Sequence, residues 1–253
     1  MEKKKISEIK AQLQAADTGS LLTLMQAYAS DERAGVRAAI EQAKKRLEAY
    51  EKEMARLDGM LSYERQYACH GAVCGLDEAG RGPLAGPVVA GAVILPEDCR
   101  ILYLNDSKKL TPKRREELYD EIMEKAVSVG VGIIGPMRID EINILQADYE
   151  AMCEALGQLR VMPATLLNDA VTIPQVKIRQ VPIIKGDAKS LSIAAASVIA
   201  KVTRDRIMDE YDDVYPEYGF AAHKGYGTAQ HIAAIRKYGP TPIHRRTFIR
   251  KFV

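Results

Sequence analysis

Three places in this 253-residue sequence put acidic side chains where a strand would bury them. Asp77 and Glu78 sit in the small and apolar run Gly75 to Ala79, Asp169 follows Thr165-Leu166-Leu167-Asn168, and Asp187 follows Val181-Pro182-Ile183-Ile184-Lys185-Gly186. A carboxylate is costly to bury unless something positive meets it. If these strands are neighbours, their ends converge and the carboxylates gather in one cleft. Such a set repels itself, and its hard oxygen ligands suit Mg2+ or Mn2+. Each aspartate also has a plainer reading as a helix N-cap or loop residue, strongest for Asp187, which precedes a helical run. Strand alternation sends Asp77 and Glu78 to opposite faces. Regular geometry therefore favours Asp77 as a direct metal ligand and leaves Glu78 a side-chain or a backbone role.

Directly after the acidic pair, Gly80-Arg81-Gly82-Pro83-Leu84-Ala85-Gly86 satisfies the spacing of a dinucleotide fingerprint. A dinucleotide-binding oxidoreductase is thus a rival reading. Against it, the next segment, Pro87 to Leu95, is a β-branched strand pattern rather than a helix, and Asp77 with Glu78 would repel a pyrophosphate. Glycines here instead let the backbone come close enough to a ligand for N–H and C=O groups to read a hydroxyl, with a tight turn as the plainer alternative.

The elements that must position these residues follow from periodicity. Gly75 to Ala79, Pro87 to Leu95, Val129 to Ile134, Thr165 to Asn168 and Val181 to Lys185 read as strands. Pro112 to Val127, capped by Thr111, reads as a helix, as do Ile139 to Leu159, Lys189 to Asp213 and Thr228 to Tyr238. Alternating strands and helices predict an α/β layer fold. The small-residue run Ile193 to Ala200 reads as a helix packed closely on the sheet, with Ser190, Ser192 and Ser197 part of that packing.

Residues 1–70 have a different texture, helical throughout. Ile6, Ile9 and Leu13 share one face, a break falls near Asp17-Thr18-Gly19, and a second helix follows from Ser20. Val36, Ile40, Ala43, Leu47, Tyr50, Met54, Leu57 and Leu61 then alternate by three and four, as in a coiled-coil seam. A hairpin closing on its own first helices or on the main domain is the plain reading; dimerisation or nucleic-acid binding is the alternative. Twelve basic and eleven acidic residues leave this region without a basic stripe. The change of texture around Ala68 to Gly71 sets the expected boundary, with a helical extension over 1–70 and an α/β domain over 71–253.

The whole chain carries 36 basic and 34 acidic residues, net +2, which argues neither for nor against nucleic acid. Distribution says more: from Ala221 to Val253 there are seven basic residues and no acidic one. Such a tail suits a polyanion. The four cysteines have no CxxC spacing and, with four histidines, form no zinc pattern. Free thiols, no signal peptide and no apolar run of membrane-spanning length make the cytoplasm the expected location.

Five ordered stretches carry a family resemblance: GLDEAGRGPLAGPVVAGAVIL from Gly75, NDSKKL from Asn105, GDAKSLSIAAASVIAKVTRD from Gly186, HKGYGT from His223 and HRRTF from His244. Together they resemble bacterial ribonuclease HII, and Gly80-Arg81-Gly82 favours it over the ribonuclease HIII relatives. The resemblance does not reach residues 1 to about 70. It implies a ribonuclease H-like fold, a mixed central sheet flanked by helices with a helical C-terminal part. It matches Asp77, Glu78, Asp169 and Asp187 to the family's four acidic active-site residues. Many members have glycine after the third of these, where this chain has Ala170.

The implied activity is an endonuclease that cuts the RNA strand of RNA–DNA hybrids and cuts 5′ of ribonucleotides embedded in DNA. Two divalent ions, Mg2+ or Mn2+, would serve the attacking and leaving oxygens and leave a 3′-hydroxyl and a 5′-phosphate. Substrate contacts fall by resemblance on Gly80, Arg81, Gly82 and Tyr226, the last reading the 2′-hydroxyl and the following sugar at an RNA-to-DNA junction. A tyrosine between glycines is otherwise a surface turn residue. Lys108, Lys109, Lys189, Lys224 and the basic tail would hold phosphates, although each is singly an ordinary surface cation. The apolar end, Phe248 to Val253, is expected to pack on the domain rather than bind a partner such as a sliding clamp. A scaffold that kept the fold and lost the chemistry is the remaining alternative, disfavoured by the complete acidic set.

Overall fold

The computed structural model describes residues 4–253, which divide into two compact units at Asp58/Gly59. The first unit is helical: α1 (Ile6–Ala15), α2 (Thr18–Ala27) and most of α3 (Ala34–Met60). Asp17 ends the break between the first two helices by accepting a hydrogen bond from Ser20 N at 2.8 Å, so α2 starts at Thr18 rather than Ser20. Ile9, Leu13, Leu21, Val36, Ala39 and Ala43 form one buried cluster, with Ile40 and Leu47 packed against it. The front half of the predicted seam therefore closes on the chain's own first helices.

The second unit begins with α4 (Ser62–Ala68), ahead of the texture change seen in the sequence. Tyr63 and Tyr67 of this helix pack against Val73, Leu167, Ile183 and Ile193, which ties it to the sheet. Then come β1 (Val73–Ala79), β2 (Val88–Ile94), α5 (Pro112–Lys125), β3 (Ser128–Ile134), α6 (Pro136–Ile142), α7 (Ile144–Gly157), β4 (Thr165–Asp169) and β5 (Arg179–Ile183). The long α8 (Leu191–Val214) follows, and α9 (Phe220–His223), α10 (Ala229–Tyr238) and α11 (Arg246–Ile249) complete a helical C-terminal part. Among the described residues no helix is long and apolar enough to cross a membrane.

The sheet has the order β3-β2-β1-β4-β5, with β1–β2 and β2–β3 antiparallel and β1–β4 and β4–β5 parallel. The expected mixed sheet flanked by helices is what the chain forms. Helix α7 packs on β2 and β3, and α8 on β1 and β2. Glycines permit both approaches. A Cβ on Gly132 would lie 1.9 Å from the Ala151 carbonyl oxygen of α7, and one on Gly75 would lie 2.1 Å from the Ser192 carbonyl carbon of α8. Ile193 to Ala200 is buried throughout, as expected of a helix that must sit this close.

Other predicted elements differ as well. The single helix expected over Ile139 to Leu159 is broken at Asn143, which takes φ +70° and caps α7 by accepting from Leu145 N and Gln146 N at 3.0 and 3.2 Å. The last strand runs two residues earlier than expected, because Lys185 turns the chain at φ +57°.

Candidate active site

Register builds the site. In the parallel pair β1–β4, Leu76 stands opposite Asn168, so the next residues, Asp77 and Asp169, leave adjacent strands side by side. Asp169 in turn pairs with Ile183 at the end of β5, four residues before Asp187. The three aspartates therefore stand at the carboxyl ends of three parallel strands, where open α/β sheets place their ligand crevice. Asp169 Oδ1 accepts from Gly186 N at 2.8 Å, fastening the turn that carries Asp187 to β4. Asp187 is not the N-cap of α8. Ser190 holds that position, accepting from Ile193 N at 3.2 Å, and leaves the Asp187 carboxylate to the cleft.

Alternation along β1 holds for the acidic pair. Asp77 stands opposite Gly91 on the face covered by α8, and Glu78 stands opposite Ala90 on the face covered by α7. Asp77 is 6% exposed and its Oδ1 accepts from Glu78 N at 2.8 Å. Burial, then repulsion from Glu78 and Asp169, pushes its pKa well above the usual aspartate value, while the Ser197 hydroxyl and the Glu78 N–H act the other way. Burial also raises Glu78, with Arg81 opposing and Asp169 adding to the rise. Asp187 is raised by burial, then by Asp106 and Asp169. The carboxylates feel one another, and the nearby cations Arg81 and Lys108 offset only part of the rise. Among the described residues, no three acidic, histidine or cysteine side chains already form a closed metal cage.

Two acidic residues of this neighbourhood escaped sequence reasoning. Asp148 of α7 is fully buried with neither oxygen hydrogen-bonded; burial, then Glu78, pushes its pKa up to about 8. Arg81 bridges the two acids, 3.5 Å from Glu78 and 3.7 Å from Asp148. An aspartate in the apolar stripe of INILQADYEAM was the available signal. Asp106 caps the short turn Ser107–Lys109 by accepting from Lys108 N at 2.9 Å. For Lys108, partial burial is outweighed by Asp77, Asp106, Asp187 and Glu78, so its ammonium is held more firmly protonated than usual.

The glycine loop joins β1 to the antiparallel β2 rather than to a helix, which removes the structural context a dinucleotide fingerprint needs. Gly80, Arg81, Gly82, Lys108, Lys201 and Tyr226 line a 420 Å3 groove together with Glu78. Tyr226 is 45% exposed, and a Cβ on Gly82 would lie 3.8 Å from its ring. The basic residues separate. Lys189 is exposed. Lys109 lies 3.9 Å from Asp106, and the Lys224 ammonium is paired with Asp209. Arg245, counted above with the phosphate-binding tail, is wholly buried, so it is not a surface cation. The chain end packs as expected: Phe248 sits against the sheet core, and Ile249 and Phe252 join the cluster around Phe220.

The family model "Ribonuclease HII" matches residues 74–251, and "Ribonuclease HII N-terminal domain" matches residues 5–68, so the family likeness extends into the helical region as well. The chain is 58% identical over 246 residues to the ribonuclease HII of Lachnoclostridium phytofermentans, covering 97% of each. It is 47% identical to that of Clostridioides difficile, covering 100% of each. Among solved structures, the ribonuclease H2 of Pyrococcus horikoshii superposes with a TM-score of 0.61 at 33% identity, covering 72% of this chain and 96% of that one. The chain therefore belongs to the ribonuclease HII family, hydrolases that act as endonucleases on RNA strands.

Proposed function

We propose that this chain cuts the RNA strand of RNA–DNA hybrids, and cuts duplex DNA on the 5′ side of an embedded ribonucleotide, leaving a 3′-hydroxyl and a 5′-phosphate. The observation that carries the reading is the alignment of Asp77 and Asp169 at the ends of adjacent parallel strands, with Asp187 in the turn after the third, while Glu78, next to Asp77, lines one groove with the Gly80–Gly82 loop and Tyr226.

The donor set fits Mg2+ or Mn2+. All four proposed ligands are hard carboxylates, Glu78 Oε2 is buried without a partner, and Asp77 is buried among like charges. Asp77 would be shared between two ions, with Asp187 holding the one on the water side and Asp169 the one on the leaving-group side. The chemistry a bound pair supplies is charge neutralisation at the attacking and leaving oxygens. Lys108, kept protonated by the surrounding carboxylates, meets a substrate phosphate at the same cleft, and exposed Lys189 meets another. Main-chain groups of Gly80, Arg81 and Gly82 read the ribose. Tyr226 donates from its hydroxyl to the ribose oxygen and lays its ring against the following deoxyribose. Lys224, tied to Asp209, contributes through its place beside Gly225 and Tyr226 rather than through its ammonium.

The test is a labelled duplex containing one ribonucleotide, incubated with Mg2+, with Mn2+ or with chelator. A single cut 5′ of the ribonucleotide is expected with either metal and none with chelator. Undiminished cutting in chelator, or no cutting with either metal, would overturn the reading.

A further inference from the structure

Two arginines lie inside the fold beneath the Gly80–Gly82 loop: Arg204 of α8 is 1% exposed and Arg245 0%. Among the described residues neither pairs with a carboxylate, and the hydrogen bonds they donate end on main-chain carbonyl oxygens. Arg245 donates from Nε to Gly86 O at 3.0 Å, from Nη1 to Arg81 O at 2.9 Å and from Nη2 to Gly80 O at 2.6 Å. Arg204 donates from Nε to Pro87 O at 2.9 Å, from Nη2 to Ala85 O at 3.1 Å and from Nη1 to Lys224 O at 2.9 Å. One guanidinium fork thus grips the glycine loop alone, and the other ties it to the loop that carries Tyr226. Gly80 is glycine for this reason as well as for its φ of +98°, since a Cβ there would lie 2.1 Å from Arg204 Nε.

Burying two cations without a counter-ion is expensive, and apolar side chains would fill the same volume at less cost. What the fork adds is direction. In a trans peptide the C=O and the following N–H point opposite ways. With the Gly80 and Arg81 oxygens drawn inward to Arg245, the Arg81 and Gly82 N–H groups turn outward. Among the described residues no protein acceptor takes either N–H. Two successive outward N–H groups backed by buried positive charge form a concavity that attracts an oxygen.

We propose that Arg245 is the positioning residue that makes the Gly80–Gly82 loop a reader of ribose oxygen, aiming the Arg81 and Gly82 N–H groups at the 2′-hydroxyl without touching substrate itself. Arg204 keeps that loop in register with Tyr226. The inference rests on the reading of this loop given under the proposed function. It makes discrimination between ribose and deoxyribose, rather than duplex affinity, the property that depends on Arg245.

The experiment compares Arg245→Lys and Arg245→Gln with the unsubstituted protein in binding two matched duplexes, one with a single ribonucleotide and one all-DNA, in chelator. Lysine keeps the charge and loses the fork; glutamine keeps one donor and loses the charge. The expected result is a loss of ribonucleotide preference of about 10-fold or more, with all-DNA affinity unchanged and single-turnover cleavage reduced in parallel. A folded variant that keeps its preference overturns the role. In the unsubstituted protein, the Arg81 and Gly82 amide resonances should move with the ribonucleotide duplex and not with the all-DNA duplex, and the Arg245 Nε–H should move with them. Amides that fail to tell the duplexes apart sink the loop reading itself. Amides that respond while Arg245 Nε–H stays still sink only the role of Arg245, and this readout stands even where neither variant folds.

Discussion

Asp77 is held where it is least comfortable as an anion. It is buried on the α8 face, next to Glu78 and level with Asp169, and the Ser197 hydroxyl relieves only part of the cost. Neutralising it therefore has two opposite consequences. Asp77→Asn should abolish cleavage with Mg2+ while leaving duplex binding in place. In chelator the same variant should be more stable than the parent by about 0.5–2 kcal/mol, because a like-charge contact disappears. Urea unfolding beside a cleavage assay checks both; equal stability would mean the carboxylates do not strain the fold. Ala170 makes a second residue-scale case. Immediately after Asp169 it takes φ +56°, the left-handed region in which a Cβ costs roughly 1–2 kcal/mol. The turn is thus made here with alanine, at some strain. Ala170→Gly should stabilise the protein by about 0.5–1 kcal/mol after the flexibility of glycine is counted, with cleavage unchanged. A lowered melting midpoint would show that the turn is not strained.

Three histidines join the elements around Tyr226. His231 Nδ1 donates to Tyr226 O at 2.9 Å, which leaves its Nε2 to accept from His244 Nε2–H at 3.0 Å; His244 Nδ1 then accepts from Thr241 N at 2.9 Å. His223 Nδ1 accepts from Gly225 N at 3.2 Å and its Nε2 donates to Tyr218 O at 2.8 Å. The His231 and His244 rings are neutral in this arrangement, and a second proton on either removes an acceptor. Burial, then His231, pulls His244 down to about 4. Above pH 6.5 both folded and unfolded states hold His244 neutral. Below it the unfolded state takes a proton that the folded state refuses until about pH 4, so stability falls across that window. At pH 4.5 the loss should be on the order of 2–3 kcal/mol, read as the extra acid sensitivity of the parent over His244→Gln in urea unfolding. Equal sensitivity would mean the ring is protonated in the fold. None of this linkage was legible in the sequence, because it depends on HKGYGT and HRRTF meeting in space. The strands and the three aspartates were legible, since an acid at the end of an apolar run is a local anomaly. The break at Asn143 was legible in principle as an N-cap, but the apolar period runs across it unbroken. Asp148 and Arg245 were misjudged or missed for a common reason. Their side chains belong to a neighbour's environment, Glu78 in one case and the Gly80–Gly82 carbonyls in the other.

At the scale of the molecule, texture and packing divide the chain at different places. The sequence changes character near residues 68–71, whereas compactness divides it before Gly59, and the difference is α4. That helix looks like the end of the helical region, yet its contacts are with the sheet. Glu64 Oε1 accepts from Ser190 Oγ, Ser192 N and Ser192 Oγ at 2.6, 2.9 and 2.7 Å, so a carboxylate sits at the N-terminus of α8 where the helix dipole favours it. The same end of α8 approaches β1 at Gly75, and the helix carries Ser197 to Asp77. A chain beginning at Gly59 should therefore fold with its aspartates in place. One beginning at Gly71 should lose about 3 kcal/mol or more, from the charged hydrogen bonds to Glu64 and the packed rings of Tyr63 and Tyr67. Its cleavage should fall further than unfolding alone explains, because the helix that sets Ser197 against Asp77 loses its anchor. Denaturation midpoints and single-turnover rates of the two truncated chains decide the matter: matching values would place α4 with the helical region, and the early division of the chain would then have no energetic meaning.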